Sequence, residues 1–147
     1  MNTAILAPAA ALAIWSMIML FWMAGTRFPA MKKMREAKGS SGMVSKSKAG
    51  GRGQDLEGLI PDQVNWKAHN YTHLMEQPTV FYAVVVILAL AGAAQIDVWL
   101  AWAYVGLRVV HSLWQVLVNT IPIRLMIFTV GSVILLVMSI RALLVTI

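Results

Sequence analysis

The sequence has no cysteine and very little charge. Without cysteine, a disulfide framework, a thiolate nucleophile and a cysteine-ligated zinc site are excluded. Only 12% of the 147 residues are charged, whereas 59% are hydrophobic, and the mean hydropathy is +0.71. A soluble domain of this length has too small an interior to bury so much apolar surface. The chain is therefore predicted to be an integral membrane protein with lipid around most of its surface.

Acidic residues are also scarce, and the basic residues are concentrated in one segment. There are 6 Asp and Glu against 12 Lys and Arg, and most of the basic residues lie between Arg27 and Lys67. Such a cluster can indicate a nucleic-acid partner, but beside membrane spans it is typical of a cytoplasmic loop. We therefore predict no nucleic-acid partner. We also predict a basic cytoplasmic loop at about 27–61 that attracts anionic membrane lipid.

Four apolar stretches are long enough to cross a bilayer. They are predicted at about 4–25, 62–94, 98–118 and 123–145, and Pro29 is expected to end the first helix. The first stretch lacks the basic residues that begin a cleavable signal peptide. Short turns, predicted at 95–97 and 119–122, make successive spans antiparallel. The predicted fold class is all-α: an integral membrane bundle of four transmembrane helices in a single domain, with both termini outside the cytoplasm.

The third span carries a stripe of polar residues. At helical spacing, one face of this span presents Tyr104, Arg108, His111, Gln115 and Asn119. An arginine near mid-bilayer that faced lipid would cost at least about 2.5–3.5 kcal/mol. The stripe is therefore predicted to face protein or a water-filled pocket.

Glu76 is the only carboxylate embedded near an apolar span, because Asp97 belongs to the turn at the opposite side. It is predicted to pair with Arg108, or with Arg124 at the start of the fourth span. Two arginines against one glutamate leave an excess of positive charge. One interpretation is a buried ion pair that only fixes helix register. The favoured one is a pocket for an anionic ligand, because arginine binds carboxylates through paired hydrogen bonds.

A metal site is an alternative interpretation of the second span. His69, His73 and Glu76 lie at i, i+4 and i+7 on one helical face, and His111 is available as a fourth ligand. Zinc and iron accept this set of ligands. Histidines four residues apart are common by chance, however, and no second acidic ligand is at hand. We predict no metal site, and a metal-dependent enzyme is the least favoured function.

Several motifs together resemble the MAPEG family, the membrane-associated proteins of eicosanoid and glutathione metabolism. They are E-x4-F starting at Glu76, R-V-V-H starting at Arg108, and P-I-R ending at Arg124. With four spans and a basic first loop, the similarity extends over nearly the whole chain. The branch that the chain resembles contains microsomal prostaglandin E synthase and its bacterial relatives.

This resemblance implies a homotrimer that binds glutathione between neighbouring subunits, in a bacterial inner membrane. Arg124 is the implied catalytic residue, because a nearby cation stabilises the glutathione thiolate. The second substrate would be a lipophilic small molecule that enters from the bilayer. By matching position or by proximity to the pocket, the residues expected to bind glutathione are Arg27, His73, Glu76, Arg108, His111, Gln115 and Arg124.

Several positions depart from the family pattern. Gln115 and Phe128 replace tyrosines, Leu125 replaces the serine or arginine that activates the thiol, and His73 replaces an asparagine. The lost hydroxyl groups remove hydrogen bonds to the tripeptide and its thiolate. Two functions stay open: a glutathione-dependent transferase or peroxidase, and a non-catalytic member that binds lipid or associates with other membrane proteins.

Overall fold

Four long α-helices form the part of the chain that the computed structural model describes, residues 3–39 and 52–147. The helices are α1 (Leu6–Gly39), α2 (Asp62–Ala91), α3 (Gln95–Leu117) and α4 (Ile121–Leu144), with short 3-10 turns at Thr3–Ile5 and Gly53–Leu56. Residues 92–94 connect α2 to α3, and residues 118–120 connect α3 to α4. Such short connections require the helices that they join to be antiparallel neighbours. The predicted all-α bundle of four helices is confirmed.

Within the described residues, three segments are long and apolar enough to cross a membrane. They are Thr3–Ala37, Asp62–Ala91 and Ile121–Leu144. α3 has 23 residues, about 35 Å of helix, which is also sufficient for a bilayer. Its polar stripe lowers its hydropathy, and the other helices shield that stripe. The chain is therefore an integral membrane protein in which α3 supplies the polar interior.

Apolar side chains from all four helices meet in one core. Phe81 of α2 and Tyr104 of α3 are fully buried and stack with ring centroids 4.5 Å apart. Such an aromatic pair contributes about 0.5–1.5 kcal/mol beyond its buried area. Leu12 and Met19 of α1 and Met138 of α4 complete this core. Because most of the apolar residues of α4 remain on the outside, this helix presents a surface to lipid or to another membrane protein.

α1 passes through Pro29, where the sequence predicted its end. Proline has no N–H for the carbonyl of Gly25, so the helix loses one hydrogen bond there. Residues 30–37 are mainly strong helix formers. Lys32 and Glu36 add an ion pair of 3.9 Å one turn apart. These local preferences outweigh the loss of a single hydrogen bond.

The predicted basic loop at 27–61 is consequently wrong in its first part. Residues 27–39 belong to α1, and residues 40–51 lie outside the described ranges. The last part contains the 3-10 turn Gly53–Leu56, which leads into α2. α1 therefore extends well beyond the apolar stretch from which its length was predicted.

The turn between α2 and α3 lies earlier than predicted. Residues 95–97 are the first turn of α3, and the chain reverses at 92–94. Gly92, with φ at 105°, ends α2 in the left-handed region that favours glycine. The Asp97 carboxylate accepts a hydrogen bond of 2.8 Å from the backbone N–H of Ala94 and so caps α3. A glycine after one helix and an acid in the first turn of the next set this boundary.

α4 begins inside the predicted turn at 119–122. Pro122 lies in its first turn, where a missing N–H costs little because no helical acceptor is available. The turn is therefore 118–120, and Asn119 adopts a positive φ of 55°. Asparagine tolerates this conformation better than most residues.

An ion pair joins α3 to α4 at the end of the bundle where both termini lie. Arg141 donates to both carboxylate oxygens of Asp97, and its Nη2 lies 3.2 Å from Oδ2. The Asp97 side chain is 1% exposed, whereas that of Arg141 is 34% exposed. Asp97 was correctly expected at the turn opposite Glu76, but its arginine partner was not predicted.

Candidate functional site

The polar stripe of α3 faces the interior of the protein, as predicted. Tyr104, Arg108, His111 and Gln115 are each at most 3% exposed, and Asn119 is half-buried. Helical periodicity places these residues on one face of α3. That face must point to the interior, because an arginine exposed to lipid is costly. The stripe forms the inner wall of the candidate site.

Arg108 has no carboxylate partner among the described residues. Its Nε donates to the hydroxyl of Tyr104 at 2.9 Å, and its Nη1 lies 3.4 Å from Nδ1 of His73. Its guanidinium carbon lies 5.2 and 5.3 Å from the ring centroids of Tyr104 and Phe128. Such cation–π contacts reach about 2 kcal/mol when the cation is desolvated. The arginine is therefore held by aromatic rings and neutral acceptors.

The predicted pairing of Glu76 with Arg108 or Arg124 is wrong within the described chain. No ion pair in the described ranges includes Glu76, and its side chain is exposed. The side chains of Glu76 and Arg108 point in different directions. Arg108 is buried inside the bundle, whereas Glu76 lies at its surface. An exposed carboxylate keeps its hydration, whereas moving it to the interior would cost several kcal/mol.

A cavity of about 560 Å³ lies at the end of the bundle opposite the Asp97–Arg141 pair. We call it the basic pocket. Three arginines line it, one from α1, one from the segment before α2 and one from α4, and α2 contributes one carboxylate. Its charged and main polar lining residues are Arg27, Arg52, Asn65, His69, His73, Glu76, Gln115 and Arg124. The pocket therefore has an excess of positive charge together with one negative group.

Five of the seven predicted glutathione-binding residues line the basic pocket: Arg27, His73, Glu76, Gln115 and Arg124. The other two, Arg108 and His111, are buried behind it and contact the ring of His73. The ring centroids of His73 and His111 are 5.0 Å apart. Arg108 and His111 are therefore placed to orient His73 in the pocket wall.

Arg27 joins α1 to the 3-10 turn before α2. Its Nη2 donates to the backbone carbonyl of Gly53. A Cβ at position 53 would lie only 3.1 Å from Arg27 Nη2, so glycine permits this close approach. Asn65, buried in the first turn of α2, donates from Nδ2 to the carbonyl of Leu56 at 3.4 Å. These contacts place the turn over the basic pocket as one of its walls.

Arg124 is positioned by the turn between α3 and α4. Its Nη1 donates to Oδ1 of Asn119 at 2.7 Å. The turn is itself fixed, because Trp114 Nε1 donates to the Thr120 hydroxyl at 2.8 Å and Asn119 N–H donates to the Trp114 carbonyl at 2.8 Å. The guanidinium of Arg124 is therefore held at the pocket by a local, hydrogen-bonded arrangement.

His73 is held against Phe128 and Arg108 in the wall of the basic pocket. The rings of His73 and Phe128 meet edge to face, with centroids 5.2 Å apart. Arginine can only donate, so Nδ1 of His73 accepts from Arg108. In the neutral imidazole the proton then lies on Nε2, and His73 lines the basic pocket. His73 therefore offers an N–H donor to the pocket.

Several buried polar atoms behind or beside the pocket lack a partner among the described residues. They are Arg108 Nη2, Asn70 Oδ1 and Gln115 Oε1. Asn70 uses its Nδ2 to donate to the Ser112 hydroxyl at 2.7 Å, which leaves its oxygen unpaired. An unpaired buried group costs about 1–3 kcal/mol. Gln115 lines the pocket, but its Oε1 is shielded from solvent, so the side-chain amide must turn before this oxygen can accept from a ligand.

No group of three or more His, Asp or Glu side chains within 3–39 and 52–147 is arranged to hold a metal ion. The histidines considered as ligands have other partners. His69 Nε2 contacts the Glu57 carboxylate at 2.9 Å, and His73 contacts Arg108. The i, i+4, i+7 spacing therefore does not converge on a single point.

Arg52 and Asn65 are among the pocket residues that were missed at the level of sequence. Arg52 lies at the end of a Gly- and Ser-rich segment, where no periodic pattern indicates a 3-10 turn. Asn65 offers a weak signal, because an amide in the first turn of a helix is suited to holding the preceding backbone. Leu125, by contrast, is 60% exposed and does not line the pocket of its own protomer.

The family model for the MAPEG family matches residues 5–144. No curated protein and no solved structure matches the chain. The family match covers all four helices and every residue that lines the basic pocket. It therefore concerns the whole bundle rather than a single motif.

Proposed function

Because the chain belongs to the MAPEG family, we propose that its basic pocket binds glutathione. We further propose that it is a glutathione transferase or peroxidase for lipophilic substrates that reach the pocket from the bilayer. The branch of the family would be that of microsomal prostaglandin E synthase and its bacterial relatives, in a bacterial inner membrane. Both termini would then lie outside the cytoplasm.

The combination of three arginines with one unpaired carboxylate in the pocket carries this proposal. Glutathione has carboxylates at both ends, an ammonium group at one end and peptide groups between them. Arg27 and Arg52 suit the two carboxylates, since guanidinium groups bind them through paired hydrogen bonds, and Arg124 remains for the thiol. Glu76 has no ion-pair partner among the described residues and suits the ammonium. A simple anion would leave this glutamate repelling it.

Gln115 supports a peptide ligand for a second reason. Its Oε1 is buried without a partner in the described part of the chain, and the residue lines the pocket. Leaving such an acceptor unpaired costs about 1–3 kcal/mol. If the side-chain amide turns toward the pocket when the ligand binds, a peptide N–H of glutathione would satisfy this oxygen, and binding would recover that cost. The glutamine would thus take over the ligand contact of the tyrosine that the family has at this position.

The thiol of glutathione needs an activating group, because only the thiolate is a strong nucleophile. We assign that role to Arg124, which Asn119 holds at the pocket. His73 would assist by donating from Nε2, since its Nδ1 already accepts from Arg108. A cation and an N–H donor would together replace the hydroxyl groups lost at Leu125 and Phe128.

A non-catalytic member that binds lipid or other membrane proteins is the second candidate. It is favoured by Leu125, which is 60% exposed at the position of the family's thiol-activating residue. In this case the same pocket would bind glutathione or another zwitterion without forming a thiolate. The apolar outer surface of α4 would serve as the partner surface in either case, and we propose that it also supports a homotrimer.

Titration calorimetry with reduced glutathione tests the proposal on detergent-solubilised protein. Glu76→Gln is expected to weaken binding about tenfold or more, because a charge-assisted hydrogen bond contributes about 1.5–3 kcal/mol. The same substitution is expected to change the free energy of unfolding by less than about 1 kcal/mol, since Glu76 is exposed and unpaired. Absence of glutathione binding by the wild-type protein would refute the proposal.

Glu36→Gln is the matched control for Glu76→Gln. It makes the same chemical change on α1, where Glu36 pairs with Lys32 and does not line the basic pocket within the described part of the chain. A glutathione analogue without its amino group gives the complementary comparison. We expect Glu76→Gln to weaken glutathione but not this analogue, and Glu36→Gln to weaken neither. Equal losses for both ligands would show that Glu76 does not bind the ammonium.

A further inference from the structure

A second cavity, of about 660 Å³, lies on the other side of the junction between α1 and α2. Within residues 3–39 and 52–147 it shares no lining residue with the basic pocket. One wall is a face of α1 on both sides of Pro29, and the other is the segment that leads into α2. We call it the apolar groove, and its walls include Pro29, Ala30, Met34, Leu59, Ile60 and Val64.

Lys33 is the single charged side chain that lines the apolar groove in the described part of the chain. It stands one turn beyond Pro29 on the same helical face. Lys32 and Glu36, in contrast, form an ion pair on the face turned to solvent, where their side chains are 79% and 64% exposed. Lys33 is itself exposed, so the groove combines a long apolar wall with one positive charge at its solvent-facing edge.

The apolar groove lies where α1 passes from its apolar part to its basic part. Phe21 and Phe28 are 69% and 70% exposed, so the helix presents a lipid-facing surface up to this level. Basic residues begin at Arg27 and continue with Lys32 and Lys33, as expected near anionic headgroups. Acyl chains and phosphate groups of the surrounding leaflet are thus available at the two ends of the groove.

We propose that the apolar groove binds an anionic phospholipid from this leaflet. An acyl chain would lie against Pro29, Met34 and Leu59, and the lipid phosphate would pair with Lys33. A wholly apolar occupant would gain nothing from the ammonium of Lys33, which lies exposed at the edge of the groove. A water-soluble anion would leave the apolar walls uncovered. An acidic amphiphile satisfies both, and this inference does not depend on glutathione binding.

Native mass spectrometry of the full-length protein tests the groove. The protein is released from mixed micelles that contain phosphatidylglycerol and phosphatidylcholine with the same acyl chains. Wild type is expected to retain phosphatidylglycerol about fivefold in preference to phosphatidylcholine, as one lysine near an anionic headgroup predicts. Lys33→Gln is expected to lose this preference, whereas Lys32→Gln, on the solvent face, is expected to keep it.

Ala30→Trp is a second variant, which fills the groove without changing charge. It is expected to reduce the retention of both lipids, while glutathione binding stays at the wild-type level. The proposal is overturned if wild type retains no phosphatidylglycerol. That result would indicate that another copy or another segment of the chain covers the groove. It is also overturned if Lys33→Gln and Lys32→Gln retain the lipids alike, or if Ala30→Trp retains them as wild type does.

Discussion

Replacing Arg141 by Met is expected to lower the free energy of unfolding by about 3–5 kcal/mol. The reason is the burial of its partner. The Asp97 side chain is 1% exposed and receives hydrogen bonds from Arg141 and from the backbone N–H of Ala94. Without the arginine, a carboxylate would remain inside the protein with one donor. Thermal unfolding in a fixed detergent, followed by circular dichroism, measures the effect.

The opposite substitution is expected to cost less. Asp97→Asn leaves Arg141, whose side chain is 34% exposed, free to turn its guanidinium to water. The loss should be about 1–2 kcal/mol, mainly the charge-assisted hydrogen bonds. The double variant should be more stable than Arg141→Met alone, because it contains no unpaired carboxylate. A larger loss for Asp97→Asn than for Arg141→Met would show that burial of the carboxylate does not govern this pair.

Arg35→Met is the control for the removal of one arginine. Arg35 is exposed on the basic extension of α1, where loss of a charge is expected to change stability by less than about 0.5 kcal/mol. If Arg35→Met destabilised the protein as much as Arg141→Met, the effect would belong to the overall charge and not to the ion pair.

The features that the sequence predicted well are periodic ones. The four helices and the buried face from Tyr104 to Gln115 follow from residue spacing and from the cost of a charge in lipid. Both constraints act within one helix, so no knowledge of the neighbours is needed. The position of Arg108 in the interior was for this reason predictable from its own helix.

Pairings between helices were less predictable. Glu76 was assigned to Arg108 or Arg124 as the only carboxylate embedded near an apolar span. At Arg108 the rings of Tyr104 and Phe128 take its place. Asp97 and Arg141 do form a pair, at opposite ends of a stretch that folds back at the 118–120 turn. Sequence alone fixes depth along a helix but not rotation about its axis, and rotation decides which charges meet.

Local boundary signals were misjudged where two of them competed. Pro29 was expected to end α1, but the helix formers at 30–37 and the Lys32–Glu36 pair continue it. The wall of the basic pocket at Gly53–Leu56 depends on Arg27 and Asn65, which lie in different helices. No local sequence pattern predicts such a contact, because it forms only after α1 and α2 have packed together.

Replacing Arg124 by Ala is expected to weaken glutathione binding about 10- to 100-fold, through the loss of charge-assisted hydrogen bonds. It is also expected to remove the ultraviolet absorbance of the bound thiolate, even at saturating glutathione. Both follow if the guanidinium held by Asn119 stabilises the ligand's negative charge. Difference spectra at several glutathione concentrations separate the two effects. Wild-type protein that binds glutathione and shows no thiolate would favour the non-catalytic function.

Asn119→Gly tests whether the position of Arg124 matters as well as its charge. Glycine accepts the positive φ of 55° at this position, so the turn is kept while Oδ1, the acceptor for Arg124 Nη1 at 2.7 Å, is removed. We expect a several-fold loss of thiolate at saturating glutathione, smaller than for Arg124→Ala, with little change in melting temperature. If the thiolate signal is unchanged in Asn119→Gly but lost in Arg124→Ala, the guanidinium of Arg124 stabilises the thiolate without needing its hydrogen bond to Asn119. Loss in neither variant would exclude Arg124 as the activating group and leave the N–H of His73 as the remaining donor.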